Sequence, residues 1–255
     1  MTLNFNTSLA ANYKSKSQIA RVLTENWVAS TLFCVRCGFS HLGKAKNNRK
    51  VADFICPECG NLFELKSKSG YFGKSIVDGD YQTMISKVTE KTNPDFLLLT
   101  YDDTKYQVSS IFAIPRHFFI PSMIQKRKPL PKTARRYGWV GCNILIDHLP
   151  LLGRVSIIDD GIWRDKLDVL RDFRKAAFLE NESLKKRAWI LDIMNCVNRI
   201  PSEEFSLDEV YRFEDELKQK HPDNHHIRPK IRQQLQVLRD KGILAFERRG
   251  YYKKI

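Results

Sequence analysis

Apolar positions recur along this chain with two different periods, and the periods divide it into elements. From Ser15 to Ser30, Ile19, Val22, Leu23, Trp27 and Val28 fall near helical spacing and predict a helix. Two short apolar runs, Val51–Ile55 and Leu62–Leu65, flank a cysteine-bearing turn and predict a hairpin with Asp53 on one strand and Glu64 on the next. Phe96–Thr100 and Ser110–Ile114 are apolar runs bounded by turn residues, and both read as strands. Ile124–Arg136 is basic and punctuated by proline, so it reads as an exposed loop. Ile157–Ile158 ends at Asp-Asp-Gly, a turn signal, and Leu167–Leu179 has a helical pattern.

From Ser183 the texture changes. Leu184, Ala188, Leu191, Ile193, Met194 and Val197 mark a helix over Leu184–Arg199. Ser206-Leu-Asp-Glu209 is a capping box that opens a second helix. Ile227, Ile231, Leu235 and Leu238 mark a third, with Pro229 tolerable in its first turn and Lys241-Gly242 as its C-terminal stop. Ile243–Phe246 and Tyr251–Lys254 flank Glu-Arg-Arg-Gly as a closing hairpin. Three helices followed by a hairpin is the order of a winged helix, a helix-turn-helix variant. The expected architecture is therefore an α/β domain over residues 1–182 and a winged-helix domain over 183–255.

Composition narrows the partners. The 255 residues are 42% hydrophobic and 28% charged, as in ordinary globular proteins, but the net charge is +14. That excess favours a polyanion, above all nucleic acid. No stretch approaches the roughly 18 consecutive apolar residues of a membrane span. The N-terminal residues carry no basic flank before an apolar stretch, so no signal peptide is expected. Four of the six cysteines form two Cys-x2-Cys pairs, Cys34/Cys37 and Cys56/Cys59, separated by eighteen residues. This is the spacing of a structural four-thiolate Zn²⁺ site rather than of disulfides, and it fits a reducing cytoplasm. Gly38 and Gly60 follow the pairs and suit tight turns, while Cys142 and Cys196 read as small buried hydrophobes.

The zinc pairs interleave with acids. Asp53 precedes the second pair, and Glu64 and Lys66 follow it two residues apart, on one face of a strand. Two carboxylates and a lysine in one place can hold Mg²⁺ against a phosphate and offset the charge that develops there. Glu25 is a further candidate acid on the first helix. On the third C-terminal helix, Arg232, Gln233, Gln236 and Arg239 point away from the apolar stripe, suited to guanine and adenine edges in the major groove. A solvated helix face is the other reading. Arg248 and Arg249 sit at the tip of the closing hairpin, within reach of phosphate. Arg135 and Arg136 stand beside Tyr137 and Trp139, a phosphate-and-base contact or else the rim of a core tryptophan.

The pattern Asp-x10-Glu-x-Lys resembles the PD-(D/E)xK nuclease superfamily, with Ala52 where that superfamily often has proline. Two further segments extend the likeness: Lys128–Trp139, reading Lys-Pro-Leu-Pro-Lys-Thr-Ala-Arg-Arg-Tyr-Gly-Trp, and Lys230–Ile243, reading Lys-Ile-Arg-Gln-Gln-Leu-Gln-Val-Leu-Arg-Asp-Lys-Gly-Ile. Together with the interleaved cysteines they resemble the methyl-directed type IIM restriction endonucleases. The resemblance implies Mg²⁺-dependent cleavage of duplex DNA at GATC carrying N6-methyladenine, with both domains on DNA; the chain is expected to be a monomer in solution. It implies catalytic roles for Asp53, Glu64 and Lys66, and zinc on Cys34, Cys37, Cys56 and Cys59. Two other readings stay open: a zinc-containing DNA-binding regulator whose acids are structural, and a repair nuclease without sequence preference.

Overall fold

A computed structural model of the chain describes residues 2–45 and 52–255. Val51, one end of the first expected strand of the cysteine hairpin, lies outside the described residues. The described chain forms two units. The first runs to Asp147 and again over Leu152–Glu180; the second takes His148–Leu151 and Asn181–Ile255.

The first unit opens with α1 (Lys16–Thr31), which begins after Ser15 as its pattern requires. Then come β1 (Gly43–Lys44), β2 (Phe54–Ile55), β3 (Leu62–Ser69), β4 (Ser75–Asp80), α2 (Tyr81–Glu90), β5 (Asp95–Asp102) and β6 (Gln107–Ile114). The unit finishes with β7 (Ile124–Lys126), β8 (Gly141–Leu145), β9 (Val155–Asp159), β10 (Ile162–Trp163) and α3 (Lys166–Ala176). Seven strands make one sheet in the order β1-β2-β3-β5-β6-β9-β10, and β4-β8-β7 make a second. In the large sheet β3 and β5 are parallel; the other neighbours are antiparallel. The central strand β5 is buried on both faces from Asp95 to Thr100, which is why its sequence is a continuous apolar run rather than an alternation. Leu23, Trp27 and Val28 of α1 and Val169 and Phe173 of α3 share one core with Phe63, Leu97, Leu99, Ile111 and Ile157. This packing fixes one face of β3, through Phe63 and Leu65, and leaves Glu64 and Lys66 on the other.

Two expectations need correction. Ile124–Arg136 is not loop throughout, because β7 takes its first three residues: Ile124 pairs with Ile144 of β8 and is buried there. Asp53 is not within a strand but at the bend just before β2.

The second unit comprises α4 (Leu184–Arg199), β11 (Glu204–Ser206), α5 (Leu207–Tyr211), α6 (Glu214–Lys220), α7 (Ile227–Asp240), β12 (Leu244–Arg248) and β13 (Tyr251–Lys254). The capping box forms: the Glu209 N–H donates to Ser206 Oγ, and the Ser206 N–H donates to the Glu209 carboxylate at 2.8 Å. The helix it opens is short. Phe213 leaves helical backbone, and three acids in the next turn, Glu214, Asp215 and Glu216, restart the helix as α6. The closing hairpin gains β11 as a third strand, in the order β11-β13-β12. Ile227, Ile231, Leu235 and Leu238 of α7 are buried as their spacing predicts.

Candidate active site

The second cysteine pair lies inside the β2–β3 hairpin, where Phe54 pairs with Phe63 and Ile55 with Leu62. The two knuckles have the same local build. The Gly38 N–H donates to the Cys34 carbonyl at 2.8 Å, and the Gly60 N–H to the Cys56 carbonyl at 3.0 Å. Both glycines have positive φ, +83° and +69°, which a side chain would strain. The four Sγ atoms converge within 4.8 Å of one another, with Cys34–Cys59 at 3.8 Å and Cys37–Cys56 at 3.6 Å. Four sulfurs at about 2.3 Å from a tetrahedral zinc stand about 3.8 Å apart, so this cluster could hold that ion. All four positions being thiols leaves no open coordination site for a substrate.

The hairpin carries the acids next to this cluster. Asp53 extends the ladder at the edge of β3: its N–H donates to the Phe63 carbonyl at 2.9 Å, and its Oδ2 accepts the Leu65 N–H at 2.8 Å. The carboxylate is therefore held by backbone, with Oδ1 outside that bond. Across β3, Lys66 Nζ lies 2.6 Å from Glu64 Oε1 and donates to Asp78 Oδ1 on β4 at 2.6 Å. Nζ also stands 5.7 Å from the centre of the Phe96 ring, beneath it in the sheet. Burial pushes the Asp53 carboxyl above its ordinary range, and Glu25 adds to the effect. Burial likewise pushes Glu64 up, and Asp78 and Asp53 add to it; Lys66 offsets only part. Burial would lower the Lys66 ammonium, yet Glu64 and Asp78 together outweigh it and hold the group well above the ordinary lysine value. Glu25 accepts from Arg21 at 2.6 Å on the opposite face of β3. Asp53, Glu64 and Lys66 are thus brought together, and Asp78 joins them. Sequence reasoning missed Asp78 because Ser75–Asp80 has no apolar run and ends in Asp-Gly-Asp, which reads as a turn.

The other candidate residues are spread over both units. Arg135, Arg136 and Trp139 lie in the connection between β7 and β8, closed by the Leu130 N–H donating to the Trp139 carbonyl at 2.9 Å. Trp139 is half-buried and outside the core. Its ring lies under the Arg136 guanidinium at 4.6 Å and over Gly141, where an added Cβ would stand 2.8 Å from the ring. On α7, Arg232, Gln233, Gln236 and Arg239 are all exposed. Arg232 donates to the Tyr211 hydroxyl at 2.7 Å, and Gln233 accepts from Lys230 at 2.7 Å. At the hairpin tip Arg248 stacks on Tyr251 at 4.0 Å, and Arg249 precedes Gly250 in the turn.

The family model described as the Dam-replacing family matches residues 1–182, and the model described as the Dam-replacing HTH domain matches residues 185–254. The chain belongs to the Dam-replacing, or DpnI, family. Membership makes it a restriction enzyme of the methylation-dependent kind that acts on DNA, and makes its C-terminal unit a DNA-binding helix-turn-helix domain. No helix among the described residues is long and apolar enough to cross a membrane.

Proposed function

We propose that this Dam-replacing family member is a type II endonuclease that hydrolyses duplex DNA at GATC carrying N6-methyladenine. Residues 1–182 form the nuclease and 183–255 a second reader of the same DNA, in a single chain. The observation that supports this reading best is the meeting of two half-buried carboxylates, Asp53 and Glu64, with a doubly paired Lys66 at the edge of one strand. Mg²⁺ held by Asp53 and Glu64 would polarise a phosphate and lower the pKa of a bound water. The remaining work belongs to the chain's own groups. The Leu65 amide fixes the Asp53 carboxylate in orientation. Lys66 is held as an ammonium by two carboxylates, so its role is to stabilise charge on the phosphate rather than to take a proton. Zinc on Cys34, Cys37, Cys56 and Cys59 would clamp the hairpin that carries both acids.

Recognition is divided in the same way. Arg232, Gln233, Gln236 and Arg239 present base-reading groups from α7, and Arg248 and Arg249 face phosphate from the hairpin. In the nuclease unit, Arg135 and Arg136 face phosphate, and the Trp139 ring offers an apolar surface to an adenine methyl group. The deciding experiment is a plasmid digest. DNA prepared with and without adenine methylation at GATC is incubated with protein and Mg²⁺, and again with a chelator. Cutting of the methylated plasmid alone, abolished by the chelator, is expected. Equal cutting of both plasmids would assign a nuclease without methyl preference, and no cutting of either would leave a DNA-binding protein.

A further inference from the structure

Lys66 has two carboxylate partners, and one of them comes from outside the motif. Glu64 shares its strand, whereas Asp78 comes from β4, in the other sheet of the same unit. Along β4 the positions alternate: Ser75, Val77 and Gly79 are exposed, while Ile76 and Asp78 turn inward. Asp78 therefore occupies a core-facing position, and its side chain is only 9% exposed. A carboxylate there must be paired, and its partner is the Lys66 ammonium at 2.6 Å.

This arrangement matters because Glu64 has two demands on it in the reading above. An oxygen drawn to a metal ion gives up part of its hold on Lys66. Lysine carries its charge on a flexible four-carbon stem, so one remaining anchor decides where the ammonium stays. Asp78 has no metal role in that reading, so it can keep its hold on the ammonium at 2.6 Å. We propose that Asp78 is a positioning residue for DNA cleavage, keeping Lys66 at the scissile phosphate while Glu64 engages the metal. The proposal rests on the roles given above to Glu64 and Lys66.

The test is single-turnover cleavage of methylated duplex by Asp78→Asn, Asp78→Glu, Lys66→Ala and the double variant Asp78→Asn/Lys66→Ala. DNA affinity in Ca²⁺, the Mg²⁺ concentration for half-maximal rate and the unfolding midpoint are measured alongside. Removing a partner that orients an active group typically lowers activity about 10–100-fold, and that loss is expected for Asp78→Asn. DNA affinity and Mg²⁺ dependence should stay unchanged, and Asp78→Glu should recover part of the rate. In the Lys66→Ala background, Asp78→Asn should cost nothing more, because the group it positions is gone. Full activity of Asp78→Asn beside an impaired Lys66→Ala would overturn this proposal alone. So would a full additional loss in the double variant, or a shifted Mg²⁺ requirement. Wild-type cleavage by Lys66→Ala would instead overturn the reading of the motif on which it rests. If Asp78→Asn unfolds, Asp78→Glu decides: folded and partly active with an unchanged Mg²⁺ requirement supports the role, and folded with a shifted Mg²⁺ requirement or no activity overturns it.

Discussion

At the scale of single residues the candidate site is a balance between burial and charge. Asp53 and Glu64 are pushed upward in pKa by burial, while Lys66 is held charged against it. The metal-free fold therefore binds protons on its acids that the unfolded chain would already have released. For a carboxyl raised in the fold, the stabilising contribution is present below the unfolded pKa, near 4, and is lost as pH rises through the folded value. Metal-free protein should accordingly lose stability across that window, and Glu64→Gln should flatten the loss, measured by thermal unfolding against pH. Asp53→Ala or Glu64→Ala should abolish cleavage, because each removes a proposed metal ligand. Single-turnover rates at fixed Mg²⁺ would check this. The motif residues were legible in the sequence because spacing alone puts Glu64 and Lys66 on one strand face. Asp78 was not, since its partnership depends on two sheets meeting and no local pattern encodes that.

At the scale of elements, legibility followed burial. Helices α1 and α7 have one covered stripe, and strand β5 is covered on both faces, so each left a strong signal in its own sequence. β4 alternates exposed and inward positions with a single buried apolar residue, Ile76, and left none. The break between α5 and α6 was hidden too, because the acids that restart the helix also suit the middle of one. The α4–α6 contact holds a second polar cluster: Asp192 on α4 accepts from Lys220 at 2.9 Å and pairs with His221 at 2.8 Å, with His221 stacked on Trp189. Burial would raise the Asp192 carboxyl, but His221 and Lys220 outweigh it and hold it below its usual range. Its stabilising contribution is thus present above the ordinary carboxylate pKa and lost as pH falls through the depressed folded value. Asp192→Asn should cost about 2 kcal/mol near neutral pH, read from denaturant unfolding, since it leaves two donors short of a charged acceptor. The zinc hairpin gives an element-scale test of its own. Cys56→Ser/Cys59→Ser should lose bound zinc by elemental analysis, and cleavage with it, because both acids hang on that hairpin. Full activity in the zinc-free variant would separate the cluster from the site.

At the scale of the molecule, two units and 43 Lys and Arg residues against 29 acids fit the proposal that both units meet DNA. The C-terminal unit has its own core in Trp189, Ile193, Leu235 and Leu238, so residues 183–255 should fold when expressed alone. That fragment should bind duplex DNA with an affinity that falls steeply as salt rises, through counterion release. Arg232→Ala or Gln236→Ala should weaken cognate binding by roughly 1–3 kcal/mol and random-sequence binding by less. Two readers also suit the arithmetic of methyl sensing. Burying one methyl yields only about 0.8 kcal/mol, so two methyls supply roughly fifteenfold discrimination in rate or affinity. The most direct measurement is the single-turnover cleavage rate, with Mg²⁺, of one duplex containing a single GATC, fully methylated or unmethylated, by wild-type protein and by Asp53→Ala. Wild-type protein should cut the methylated duplex at least about fifteenfold faster than the unmethylated one, and Asp53→Ala should cut neither. Equal rates on the two duplexes, or cleavage that survives in Asp53→Ala, would contradict it.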